Sequence, residues 1–298
     1  MTVGGRADSI PAIPEEDASG DIATLYADLR ATLGVPFVNL IWRHLATIQG
    51  GLAWAWTLVK PLYVSGELVS RAAEASALVR LPSLAPLPDF VWDGAAILRA
   101  DRQVIVSLID SYNHANGVNF LALLVAVKAL REGLPMPVGT ARVAPKPTGH
   151  RAEADALPAL PGLSELSPTV LALVRRLDEF GRLGPSDAIA SLYRHLAHWP
   201  AFLSIACVAL EPLHRSGELA RAQESVIAFG RRQSVELANL VDRDLPALTP
   251  ESRSAVLSAL DEFTSLMIGR MIVTGKAMRS LIRPDGEAQY ERHRNFGL

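Results

Sequence analysis

Arg43-His44-Leu45-Ala46 returns as Arg194-His195-Leu196-Ala197. At the same spacing Pro61-Leu62 returns as Pro212-Leu213, and Ser65-Gly66-Glu67-Leu68 as Ser216-Gly217-Glu218-Leu219. Leu108-Ile109-Asp110-Ser111-Tyr112 stands in the same register against Ala259-Leu260-Asp261-Glu262-Phe263. A duplication this long constrains the fold more than any single motif, because two copies of one unit need the same internal contacts. Apolar residues recur at helical spacing, as at Ile22, Leu25, Tyr26 and Leu29, and no stretch alternates with period two long enough for a strand. The chain is therefore expected to be all-α, two tandem repeats of a multi-helix unit packed as a pseudo-twofold pair.

The periodicity predicts helices over 21–33, 39–49, 52–64, 67–80, 95–112 and 118–131 in the first copy. In the second it predicts 169–180, 188–199, 202–213, 218–231, 235–241 and 250–282. Between the copies, residues 133–168 carry seven prolines and almost no periodicity, the pattern of a surface linker. The expected division is a first repeat with an N-terminal arm at 1–132, the Pro-rich linker at 133–168, and a second repeat with a C-terminal tail at 169–298.

With 298 residues, 49% of them hydrophobic, the chain can bury one large core or two ordinary ones. The net charge of −2 and the lack of any basic run interleaved with aromatics argue against a nucleic-acid partner. Phe120 to Val127, the longest apolar stretch, is too short to span a bilayer, so no membrane partner is expected. Met1 to Gly20 shows no basic start followed by an apolar core, and the single Cys207 fits a reducing compartment. A cytoplasmic protein is the expectation.

Positions shared by both copies belong to the framework: His44 with His195, and Glu67 with Glu218, first-turn acids that complement a helix dipole. Positions that break the symmetry are the better functional candidates. In Gly184-Pro185-Ser186-Asp187-Ala188-Ile189, Asp187 faces Pro36-Phe37 of the first copy, and Asn116 faces Met267 of the second. Each copy thus offers a polar group where its twin is apolar, and about a pseudo-twofold axis the two could share one cleft. Asp187 alone would read as a helix N-cap. Burial against Phe37 and Pro36 would raise its pKa, a helix start would lower it, and the residues do not decide between them. His195 and His198 lie three apart on one helical face but have no third ligand at suitable spacing, so no metal is expected. Gly-x-Ser-x-Gly, phosphate-cradling Gly-rich and Cys-x-x-Cys motifs are absent, which disfavours serine-hydrolase, nucleotide and dithiol chemistry.

Taken together, Gly34-Val35-Pro36-Phe37-Val38-Asn39-Leu40, Tyr112 to Asn116, and Pro185-Ser186-Asp187 resemble the group I 2-haloacid dehalogenases, the D- and D,L-2-haloacid enzymes. The likeness covers nearly the whole chain. It implies that Asp187 activates a water, that Asn116 helps hold it, and that Gly34, Phe37, Ser186 and Tyr112 bind the substrate, with backbone N–H groups near the first three taking its carboxylate. The implied reaction is hydrolytic removal of halide from the α-carbon of a short 2-haloalkanoate by direct water attack with inversion. No cofactor and no metal are implied; the partner is the small-molecule 2-haloacid, and a homodimer and a monomer are both open. Gly34 stands where some relatives carry a bulky aromatic, which implies a wider pocket. Two alternatives stay open: a cofactor-free helical enzyme related to the peroxidase-associated disulfide reductases or lactone decarboxylases, and a non-catalytic helical protein that binds a small acid.

Overall fold

The computed structural model describes residues 9–134 and 157–283. The start of the N-terminal arm, most of the linker and the C-terminal tail lie outside the described residues. The first part runs α1 (Gly20–Leu33), α2 (Leu40–Leu45), α3 (Gly51–Ser65), α4 (Glu67–Leu78), α5 (Asp89–Gly94) and α6 (Arg99–Glu132). The second runs α7 (Pro168–Glu179), α8 (Ser191–His195) with a 3-10 turn over Leu196–His198, α9 (Pro200–Arg215), α10 (Glu218–Leu237), α11 (Pro250–Glu262) and α12 (Ile268–Ser280). A π turn over Phe263–Met267 joins the last two. The described residues contain no strand, so the all-α expectation holds.

The helix order repeats: a longer helix, a very short one, a Pro-containing one, and a fourth that starts at a Ser-Gly turn. Pro61 sits inside α3 and Pro212 inside α9, while left-handed Gly66 and Gly217 precede α4 and α10. The hydrophobic core runs through both parts without a break, from Trp42 and Trp56 to Phe202 and Phe263. Among the described residues no helix is long and apolar enough to cross a membrane.

α5 is a helix the periodicity does not predict, the helix expected over 39–49 ends at Leu45, and the one expected over 250–282 is broken by the π turn; three further departures bear on the packing and the site. The expected pair 95–112 and 118–131 is one helix, α6, of 34 residues. Asn116-Gly117 reads as a break, yet Gly117 is small because α4 lies against it; a Cβ there would stand 3.0 Å from the Ala72 Cβ. Likewise 218–231 and 235–241 join as far as Leu237 in α10. The third departure concerns the site: the helix expected over 188–199 starts only at Ser191, with Ala190 as its N-cap.

α10 crosses α6 at Gly230, where a Cβ would meet Phe120 Cε1 at 2.4 Å and Leu124 Cδ1 at 2.6 Å. Both neighbours are buried core side chains with little room to retreat. Gly230→Ala should therefore cost about 1–3 kcal/mol by overpacking. The check is a lower urea midpoint at unchanged slope; an unchanged midpoint would show that the crossing is looser than this.

Candidate active site

A small cavity of about 30 Å³ opens where the starts of α2 and α8 meet the middle of α6. Asn39, Leu40 and Ile41 line it from the first part and Ala190, Ser191 and Leu192 from the second. These two triplets stand in matching positions just before the repeated Arg-His-Leu-Ala blocks. Tyr112, Asn116 and Asn119 of α6 form a third wall, and Phe263 and Met267 of the π turn close it with Ile268 and Met271 of α12. Spacings of four and three put the α6 residues on one stripe. Asn116 and its repeat counterpart Met267 thus meet in one cavity, whereas Asp187, expected to share the cleft with Asn116, does not line it.

Asn119 is fully committed to holding this corner. Its Oδ1 accepts from Trp42 Nε1 (3.2 Å) and the Tyr63 hydroxyl (2.7 Å), and its Nδ2 donates to Asn39 Oδ1 (3.1 Å). Asn116 is different: its side chain is buried and its Nδ2 has no acceptor among the described residues. A buried donor left unpaired costs about 1–3 kcal/mol, so Asn116 is held in a state that a bound acceptor would relieve.

Tyr112 connects the cavity to charged groups behind it. Its ring stacks on Phe37 at 4.2 Å, and its hydroxyl lies 2.8 Å from His195 Nδ1. Burial pushes the His195 pKa down to about 3, helped by the positive neighbours His198, Arg194 and Arg43. The imidazole is therefore neutral at ordinary pH, and Nδ1 accepts from the tyrosine in the tautomer this network implies. Desolvation likewise raises the Tyr112 pKa well above the usual phenol range, so the hydroxyl keeps its proton. Arg43 is buried beside the cavity, donating from Nε to the Val38 carbonyl (3.1 Å) and from Nη2 to Ser191 Oγ (3.3 Å). His44, the repeat partner of His195, makes a different contact, to the Pro11 carbonyl at 2.7 Å. The pair is equivalent in sequence, not in surroundings.

A pH dependence follows from His195. The folded group takes a proton only near pH 3, whereas the unfolded chain takes it near the ordinary 6.5. Across that window the unfolded state holds more protons, so stability falls as the pH drops, by up to about 1.4 kcal/mol per unit. His195→Gln should flatten this part of a plot of urea midpoint against pH. A curve with the wild-type slope would show that His195 is not the group responsible.

Of the six residues expected from the sequence, the structure brings Tyr112 and Asn116 to the cavity, with Phe37 stacked behind Tyr112. Gly34 is the left-handed C-cap of α1 (φ 68°), and its N–H is spent on the Arg30 carbonyl at 2.9 Å, leaving none for a carboxylate. It does not line the cavity, so its small size does not widen it. Ser186 Oγ donates to Glu262 Oε1 (2.6 Å) and accepts from the Ala188 N–H (3.2 Å), outside the lining. Asp187 is exposed, upstream of the α8 cap, and is not among the lining residues either. No Asp, Glu or His lines the cavity, and among the described residues no group of three His, Cys, Asp or Glu could hold a metal. Sequence reasoning missed Asn39, Ser191, Leu192 and Asn119. Asn39 and Ser191 were accessible: carrying the repeat register back from Arg43 and Arg194 pairs Asn39 with Ala190 and Leu40 with Ser191, two further breaks in symmetry.

The chain matches no family model. It is 29% identical over 260 residues to a configuration-inverting 2-haloacid dehalogenase of Alcaligenes xylosoxydans xylosoxydans, covering 84% of this chain and 82% of that protein. Its fold is that of a solved D-2-haloacid dehalogenase mutant in complex with D-2-CPA: TM-score 0.75, 18% identity, 92% of this chain and 96% of the other. A D-2-haloacid dehalogenase solved with L-LA aligns with TM-score 0.73 and 18% identity over 91% and 96% of the two chains.

Proposed function

We propose that this chain, a relative of the configuration-inverting 2-haloacid dehalogenases, hydrolyses short 2-haloalkanoic acids. Water attacks the α-carbon as halide leaves, giving a 2-hydroxy acid of inverted configuration, a halide ion and a proton. The observation that carries this reading is the 29% identity running over 84% of the chain. The site supports it in two respects. Leu40, Ile41, Leu192 and Met267 offer apolar walls to halogen and alkyl group, and Asn116 Nδ2 is a buried donor without an acceptor, which a water or carboxylate would satisfy; at about 30 Å³ the cavity has to widen to take the acid itself. The single Cys207 fits a cytoplasmic setting.

Direct attack by water needs an acceptor for its proton. We assign this to Asp187, the carboxylate that the resemblance implies. The irregular stretch 184–190 would have to bring it over the cavity, and catalytic contacts often tighten only when substrate is present. His195 is not placed to replace it, since its Nδ1 already accepts from the Tyr112 hydroxyl and the ring does not line the cavity.

One observation favours a second reading. No carboxylate or imidazole lines the cavity, so as it stands the chain would hold a small carboxylic acid without turning it over. Chloride release from 2-chloropropionate, measured beside its equilibrium binding for wild type and Asp187→Asn, separates the two. Release that Asp187→Asn abolishes while binding persists supports hydrolysis with Asp187 as base. Release that survives the substitution keeps the hydrolysis and removes Asp187 from it. Saturable binding with no chloride from the wild type supports the second reading.

A further inference from the structure

We propose that the chain carries a second ligand site, a cavity of about 490 Å³ between α4, α6 and α12, shaped for an organic monoanion with an apolar body. Cavities that bind small organic molecules fall in the range of roughly 300–1,000 Å³, which this one enters and the candidate active site, at about 30 Å³, does not. No residue lines both cavities. They use adjacent stripes of the same two helices: Tyr112 and Asn116 face the small one and Asn113 and Gly117 the large one, while Met271 faces the small one and Ile272 the large one.

The lining fixes the ligand's chemistry. Two cations face the space, Lys276 and Arg279, and no acid does. Arg279 is paired with Asp110 at 3.0 Å, which cancels its charge. Lys276 donates to the backbone carbonyls of Ser76 (2.5 Å) and Val79 (3.2 Å), and it forms no ion pair with an acid among the described residues. These carbonyls close the C-terminal end of α4 and occupy Lys276 Nζ, but no acid neutralises its charge at the wall, and burial holds the Lys276 pKa below the usual lysine range. An incoming anion would supply the counter-charge. The rest of the lining is largely apolar, from Pro86, Ile272 and Ile282, which calls for a hydrocarbon body and not for an inorganic ion.

The probe is 8-anilinonaphthalene-1-sulfonate, which combines an anionic group and an apolar body. Titrated into the folded chain, it should show one saturable site by fluorescence and by calorimetry. Lys276→Met keeps the stem and removes the charge, and should weaken binding about tenfold or more; Lys276→Arg should keep most of it. Ser280→Phe, at an exposed position on the cavity's edge, should weaken it by blocking the space without touching the charge. Helical circular dichroism and melting temperature report whether each variant is folded. Should Lys276→Met not fold, Ser280→Phe carries the test. Wild-type affinity in folded Ser280→Phe, or displacement of the probe by 2-chloropropionate, which would place it in the smaller cavity, overturns the proposal.

Discussion

Asp178→Ala is expected to unfold more of this protein than any other single substitution near the site, by about 3–5 kcal/mol. Asp178 is completely buried on α7, and Arg270 of α12, 1% exposed, pairs with it at 3.0 Å. Arg270 also donates to the Asp178 carbonyl, and Arg182 closes on the second carboxylate oxygen. The same Oδ1 accepts the N–H of Ala190 at 3.1 Å, which is the N-cap of α8 and part of the cavity wall. Removing the carboxylate would leave the Arg270 guanidinium buried without its counter-ion and free the start of α8. Replacing a buried pair outright can be neutral, but breaking one is not. Asp178→Asn keeps an acceptor for Ala190 and should fall between wild type and alanine. Urea denaturation reads both, and a loss under 1 kcal/mol for the alanine variant would show that Arg270 finds other compensation.

For Asn116→Ala the expected result is a split: kcat/KM with 2-chloropropionate falls about a hundredfold, the scale seen when one oriented donor is removed, while stability holds or rises. The split follows from the side chain's two accounts. In the free protein its Nδ2 is a buried donor without an acceptor, so deleting it removes a cost. With substrate or water bound, the same group gains its partner. Asn119→Ala is the control with the opposite signature, because it would strand the Trp42 N–H and the Tyr63 hydroxyl and lower stability strongly. If Asn116→Ala destabilised the fold and left the rate of the folded enzyme intact, Asn116 would belong to the framework.

Much of the fold was legible because helical periodicity and an internal repeat are both written in the order of the residues. Where that reading failed, the cause was a contact between distant elements. Gly117 looks like a helix break until the Ala72 methyl is seen against it, and the late start of α8 reflects Asp178 holding the Ala190 N–H from another helix. The site was half legible. Asn116 was found because Met267 breaks the symmetry opposite it, and both face the cavity. Asp187 was selected by the same rule and stands exposed in the irregular stretch before α8, outside the cavity lining. The Tyr112–His195 contact and the triple role of Asn119 rest on side chains far apart in sequence, which no local pattern announces.

The most direct test is a single turnover in oxygen-18 water, with the protein in excess over 2-chloropropionate. The account predicts stoichiometric chloride and a 2-hydroxy acid carrying the heavy oxygen in its hydroxyl from the first turnover, because water attacks the α-carbon directly. Light-oxygen product with label on the peptide that contains Asp187 would make that carboxylate a nucleophile and contradict the mechanism, and no chloride at all would contradict the function.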